Sequence, residues 1–285
     1  MAFEHKESNF NSSTDHAKIY YQSWTKPNPE TAIVIQHGFG EHSGRYGHLL
    51  DAIQDQNVSV YGIDSRGHGR SEGKRGHVDQ FQHYVDDLAE LIHIAKEDSK
   101  LDKIVLLGHS LGGVISLQYA CEVNNQDHLR GLVVSSPGLK VKMDFEKEVK
   151  KFAAEVLSSI MPAMTIDANL DVNFLSHDKS EIEKYQKDPL VHGKISFQMG
   201  ANLFHLNKAM KTKSHLIKVP ILMIHGEADG IADVVGTTRF FEHVESKIKK
   251  LVVYPGLYHE LMNELPQDRE KVLKDISDFI FSLEK

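Results

Sequence analysis

The chain has 285 residues, 40% hydrophobic and 26% charged, which is enough apolar material for the core of one large α/β domain or two small ones. A formal charge of −7, a pI near 6.2 and the lack of any basic tract argue against nucleic acid as a partner. The opening residues lack an apolar signal core and no run approaches membrane-spanning length. One cysteine, Cys121, rules out an internal disulfide, so a soluble protein of the reducing cytoplasm is expected.

Residues 4–10 and 18–24 read as a pair of opening strands around a polar turn at 11–16, and Pro27-Asn28-Pro29 then breaks the chain. The apolar run Thr31–Gln36 is too short for a helix and predicts a central strand, followed by the loop His37-Gly38-Phe39-Gly40. A helix around 46–54 leads to the next strand, Val58–Ile63. The segment Asp64 to Gly73 follows, rich in glycine and charge. It has no G-K-[ST] ending, so a phosphate loop is rejected for a turn in which Asp64, Arg66 and His68 tie neighbouring loops together. Val85, Leu88, Leu91, Ile92 and Ala95 follow helical spacing.

The strand at 103–107 runs into Gly108-His109-Ser110-Leu111-Gly112, and 114–120 has helical composition. G-x-S-x-G between a strand and a helix is the nucleophile elbow, a strained turn that pushes the serine hydroxyl outward. The flanking glycines leave room for the strand and helix beside it. The helix that begins there also presents free N–H groups and a positive dipole end near Ser110. After a strand at Leu129–Ser135 the alternation stops near Pro137. It resumes near Val219, with strands at 220–224 and 250–254 and a closing helix over 270–283. This order predicts a mostly parallel, doubly wound sheet. Residues 1–137 and 208–285 are expected to form its core, with 138–207 as a helical insertion. The first helix of that insertion is expected over 145–160, with Phe152, Val156 and Ile160 on one face.

A serine needs a positioned base to attack an ester. On such a sheet the partners follow in the order acid, then histidine, on loops after later strands. Asp229 follows the strand at 220–224, and His259 follows the strand at 250–254 through a glycine turn. His259 is the expected base, and Asp229 the expected orienting acid, preferred over Glu227 and Asp233 by its offset from the strand. The oxyanion donors are expected to be the backbone N–H groups of Leu111 and Phe39. No cofactor or metal is implied, since no His, Cys or carboxylate cluster has convincing ligand spacing.

With these residues in place, the chain resembles the α/β-hydrolases, and within them the monoacylglycerol lipase group, over nearly its whole length. The resemblance is carried by the stretch from His37 to Tyr46, by Gly67-His68-Gly69 with Ser71 and Gly73, by the elbow, and by Gly226-x-Ala228-Asp229. Inside the insertion it is carried by Ser136-Pro137-Gly138-Leu139 and by Tyr185-Gln186-Lys187-Asp188-Pro189-Leu190. It implies a serine hydrolase that splits a monoacylglycerol into fatty acid and glycerol through an acyl-enzyme, with the insertion at 138–207 as its lid, or cap. It also implies that Glu41, Arg45 and Tyr185 surround the glycerol head group. Glu41 and Arg45 read equally as a structural ion pair. Some relatives carry a second histidine shortly after the catalytic one; here Met262 stands three residues on.

The apolar residues Phe152, Val156, Leu157, Ile160, Met161 and Met164, set among lysines, suit either transient contact with a membrane or lipid-droplet surface or packing onto the main domain. A lysophospholipase or a general carboxylesterase would use the same triad and is the alternative enzyme. A non-catalytic lipid-binding relative predicts a broken triad, and none of the three positions is broken.

Overall fold

The structure, a computed structural model, describes residues 2–142, 159–210 and 212–283. The expected helix over 145–160, with Phe152, Val156 and Leu157, lies almost entirely outside the described residues.

Eight strands form one sheet in the spatial order β1-β2-β4-β3-β5-β6-β9-β10. They are β1 (Glu4–Asn11), β2 (Lys18–Thr25), β3 (Thr31–Gln36), β4 (Val58–Ile63), β5 (Ile104–His109), β6 (Leu129–Ser135), β9 (Ile221–Gly226) and β10 (Lys249–Tyr254). The opening hairpin β1–β2 is antiparallel and pairs antiparallel to β4; every other pairing is parallel. This is the α/β-hydrolase architecture. The helices α1 (Gly47–Ile53), α2 (Gln82–Ser99), α3 (Leu111–Ala120), α6 (Val234–Glu242) and α7 (Pro266–Ser282) cover its two faces.

The central strands are apolar throughout because both their faces are covered. The period of two is plain in β3 and β5. Val34, Ile104 and Leu106 join the core under α2 and α3, while Ile33, Ile35, Val105 and Leu107 join the core under α1 and α7. Each such side chain contributes about 1.5–3 kcal/mol by leaving water. The result is a stiff platform whose parallel strands all end along one edge, and the loops leaving that edge carry the candidate chemistry.

The insertion contributes a small antiparallel pair, β7 (Thr165–Asp167) with β8 (Lys194–Ser196), and two helices, α4 (Lys179–Lys187) and α5 (Phe197–Met210). Helix α5 runs through position 207, where the sequence reading set the end of the insertion. Ile160, Met161 and Met164 are 65%, 50% and 50% exposed, so these three do not pack onto the main domain.

Candidate active site

Ser110 closes β5 and opens α3 with φ +54° and ψ −117°, a backbone state that L-residues rarely adopt. Its N–H donates to Ser135 O at 2.9 Å, and its carbonyl accepts from Gly138 N at 3.2 Å, so the turn is tied to the end of β6. The glycines are needed for space. A Cβ on Gly108 would stand 2.4 Å from Ser116 Oγ, and one on Gly112 would stand 2.1 Å from Gln36 O.

His259 reaches Ser110 from the loop after β10. Its Nε2 lies 2.9 Å from Ser110 Oγ, and its Nδ1 lies 2.7 Å from Asp229 Oδ2. Asp229 stands on the loop after β9, with Oδ1 accepting from Ile231 N at 2.8 Å and Ala232 N at 2.9 Å. A carboxylate so placed can only accept from Nδ1–H, which leaves Nε2 as the lone pair facing the serine. Both groups are buried. Burial alone would raise the Asp229 pKa, yet His259 and His225 hold it far below the usual carboxylate range. Burial pushes His259 down, but Asp229 outweighs it and holds the imidazole above the ordinary histidine value. The other acids weighed from sequence lie elsewhere. Glu227 is exposed, and Asp233 caps α6 and pairs with Lys140 at 2.5 Å.

The N–H groups of Phe39 and Leu111 have no hydrogen-bond partner among the described residues and flank the elbow. Residues behind the Phe39 loop fix its shape. His37 Nε2 accepts from Ser65 N at 2.8 Å, so Nδ1–H donates to Gly38 O at 2.7 Å. Gly38 N donates to Glu41 Oε1 at 2.6 Å. In the turn after β4, Asp64 and Arg66 tie neighbouring segments together as expected, whereas among the described residues His68 Nδ1 bonds only Arg66 O at 3.0 Å, within the turn itself. Asp64 accepts from Ser43 N at 2.8 Å and Arg70 N at 2.8 Å, and Arg66 pairs with Asp87 and Asp15 at 2.8 Å each.

Glu41, Arg45 and Tyr185 come together. Arg45 Nη1 binds Glu41 Oε2 at 2.9 Å, and the Tyr185 ring lies 4.7 Å from the guanidinium carbon. The sequence reading missed the second acid of this cluster. Glu260 chelates Arg45 at 2.6 and 2.8 Å and accepts from Asn263 Nδ2 at 2.9 Å. Met262 instead packs in the core under α1 and α7.

Ser110 and His259 open into a cavity of about 870 Å³, near the upper end for small-molecule sites. Glu41, Glu260, His109 and Tyr185 give it a polar region, and Leu111, Val114, Leu139, Leu203, Ile231 and Phe240 are among its apolar lining. An activated serine facing a deep, mostly apolar cavity is suited to acyl transfer from a lipid ester.

The chain is similar to known proteins over most of its length. The family model described as serine aminopeptidase, S33 matches residues 27–266. A monoacylglycerol lipase of Mycolicibacterium smegmatis is 34% identical over 93% of this chain and 93% of its own. A monoglyceride lipase of Rattus norvegicus is 32% identical over 94% of this chain and 88% of its own. Among solved structures, the monoacylglycerol lipase of Paleococcus ferrophilus superposes with a TM-score of 0.80 at 32% identity, covering 93% of this chain and 99% of that one. The chain belongs to the serine aminopeptidase S33 family of α/β-hydrolases, as a homologue of the monoacylglycerol lipases within it.

Proposed function

We propose that this protein is a serine hydrolase that cleaves monoacylglycerols to a free fatty acid and glycerol. The observation that carries the reading is the unbroken chain Asp229–His259–Ser110 opening into the mostly apolar cavity, and its similarity to named monoacylglycerol lipases supports the substrate class. In the proposed reaction Ser110 Oγ attacks the ester carbonyl as its proton passes to His259 Nε2. The tetrahedral oxyanion points at the N–H groups of Phe39 and Leu111, and Asp229 stabilises the imidazolium. The imidazolium gives its proton to the departing glycerol oxygen, leaving an ester on Ser110. A water then loses a proton to His259, attacks that ester and frees the fatty acid. Ser110 recovers its proton, so the cycle consumes one water and leaves the enzyme unchanged.

Residues 138–207 act in this reading as a cap over the acyl chain, and the exposed Ile160, Met161 and Met164 are its contact with a membrane or lipid-droplet surface. Among the described residues no helix is long and apolar enough to cross a membrane. The test is glycerol release from a long-chain monoacylglycerol beside its lysophospholipid and a short-chain ester, with Ser110→Ala as control. Release from the monoacylglycerol that vanishes in Ser110→Ala is the expected result. Preference for the other esters would overturn the substrate, and full turnover by Ser110→Ala would overturn the nucleophile.

A further inference from the structure

The polar region of the cavity carries more charge than the proposed reaction uses. Glu41 and Glu260, 4% and 5% exposed, both line the cavity, and both bind the one guanidinium of Arg45. Arg45 Nη1 serves both carboxylates, Nη2 serves Glu260, and the ring of Tyr185 covers the guanidinium. Burial favours protonation of each acid, but Arg45 holds both below the ordinary glutamate range. Two carboxylates against one cation leave a surplus negative charge.

That charge lies close to the nucleophile. Glu41 Oε1 and Ser110 Cβ are 3.0 and 3.1 Å from the point that a Cβ on Gly38 would occupy. Among the described residues the other cations lining the cavity, Lys140, Lys208 and Arg239, come from the loop after β6, from α5 and from α6, and none of them forms an ion pair with either acid.

We infer that the Glu41–Arg45–Glu260 cluster is a charge filter: it admits uncharged polyol head groups and repels phosphate-bearing ones, with Glu260 as the selecting residue. The inference rests on the hydrolase reading only in taking this as the end where the alcohol lies. Each negative charge on a phosphate about 6 Å from the surplus charge, at an effective dielectric near 20, is disfavoured on the order of 100-fold.

The test uses probes that cannot be hydrolysed, so it does not depend on turnover. Decyl glycerol ether and its phosphate monoester are titrated calorimetrically into wild type, Glu260→Gln and Glu41→Gln. Wild type is expected to bind the neutral ether at least about 100-fold more tightly than the phosphate. Either substitution cancels the surplus charge and should close most of that gap, mainly through tighter phosphate binding, a gain that misfolding cannot produce. Equal binding of the two probes by wild type, or an unchanged gap in Glu260→Gln, would overturn the filter. Full turnover by Ser110→Ala would overturn the hydrolase reading while leaving these affinities to stand.

Discussion

Asp229→Asn puts the proposed relay to its sharpest test, because the surroundings of the carboxylate dictate which way an amide would turn. Oδ1 is held by two backbone donors, Ile231 N and Ala232 N, at 2.8 and 2.9 Å. Asparagine keeps its carbonyl there, so its NH₂ group takes the place of Oδ2 and faces His259 Nδ1. A donor at that point accepts no proton from Nδ1–H, and the imidazole changes tautomer. Nε2 then carries the proton, aimed at Ser110 Oγ, and cannot act as base. Rotating the amide would restore the tautomer but strand two buried N–H groups, at about 1–3 kcal/mol each, or roughly 2–6 kcal/mol in all. With about 1.4 kcal/mol per tenfold, kcat should fall by roughly 30- to 10⁴-fold, with the larger loss if no rotation occurs. The assay is kcat for glycerol release across pH, with thermal unfolding to show that the fold is intact. A loss below tenfold in a folded variant would refute the tautomer argument.

Two further predictions follow from the same surroundings. The base must be neutral, and His259 is held above the ordinary histidine pKa, so kcat/KM should be lost as pH falls through a value above about 6.5. Glu260 is among the groups that raise His259, so Glu260→Gln should move that inflection to lower pH; an inflection that stays in place or rises would contradict the assigned cause. Gly40→Ala would set a Cβ 2.3 Å from His192 O at a φ of +75°. We expect a loss of about 1–3 kcal/mol in urea unfolding, with kcat reduced because Phe39 is the adjacent residue. Wild-type stability and kcat in that variant would show that the contact is not needed.

The sheet was legible because its signals are local. Thr31–Gln36, Val58–Ile63 and Leu129–Ser135 are bare apolar runs bounded by turns, and the strands occupy those same residues. Ser110, Asp229 and His259 were legible for a related reason: each stands at a fixed offset from a strand end, so chain order implies their meeting in space. Glu260 was not. Its bond to Arg45 spans 215 positions and joins two loops by side chains alone, which no periodicity records. The only local hint was its place beside His259. The place of Met262 was no more legible, because its burial under α1 and α7 is a matter of packing and not of sequence spacing.

The boundary between core and insertion is sharper in sequence than in the structure. His259 N donates to Phe174 O at 3.1 Å, and Glu260 N donates to Leu175 O at 2.7 Å, so the insertion holds the loop that carries the base and the selecting acid. On the other side His192 N donates to Gly40 O at 2.9 Å, and His42 pairs with Asp188 at 2.9 Å, which ties the insertion to the oxyanion loop. A lid that only covered the acyl chain would need neither set of contacts. Each is a main-chain bond or a half-buried ion pair, worth about 1 kcal/mol alone, but together they bracket the serine from both sides. Displacing residues 172–192 would therefore loosen His259 and Phe39 at once, so access to the cavity and readiness of the catalytic groups are coupled through one segment.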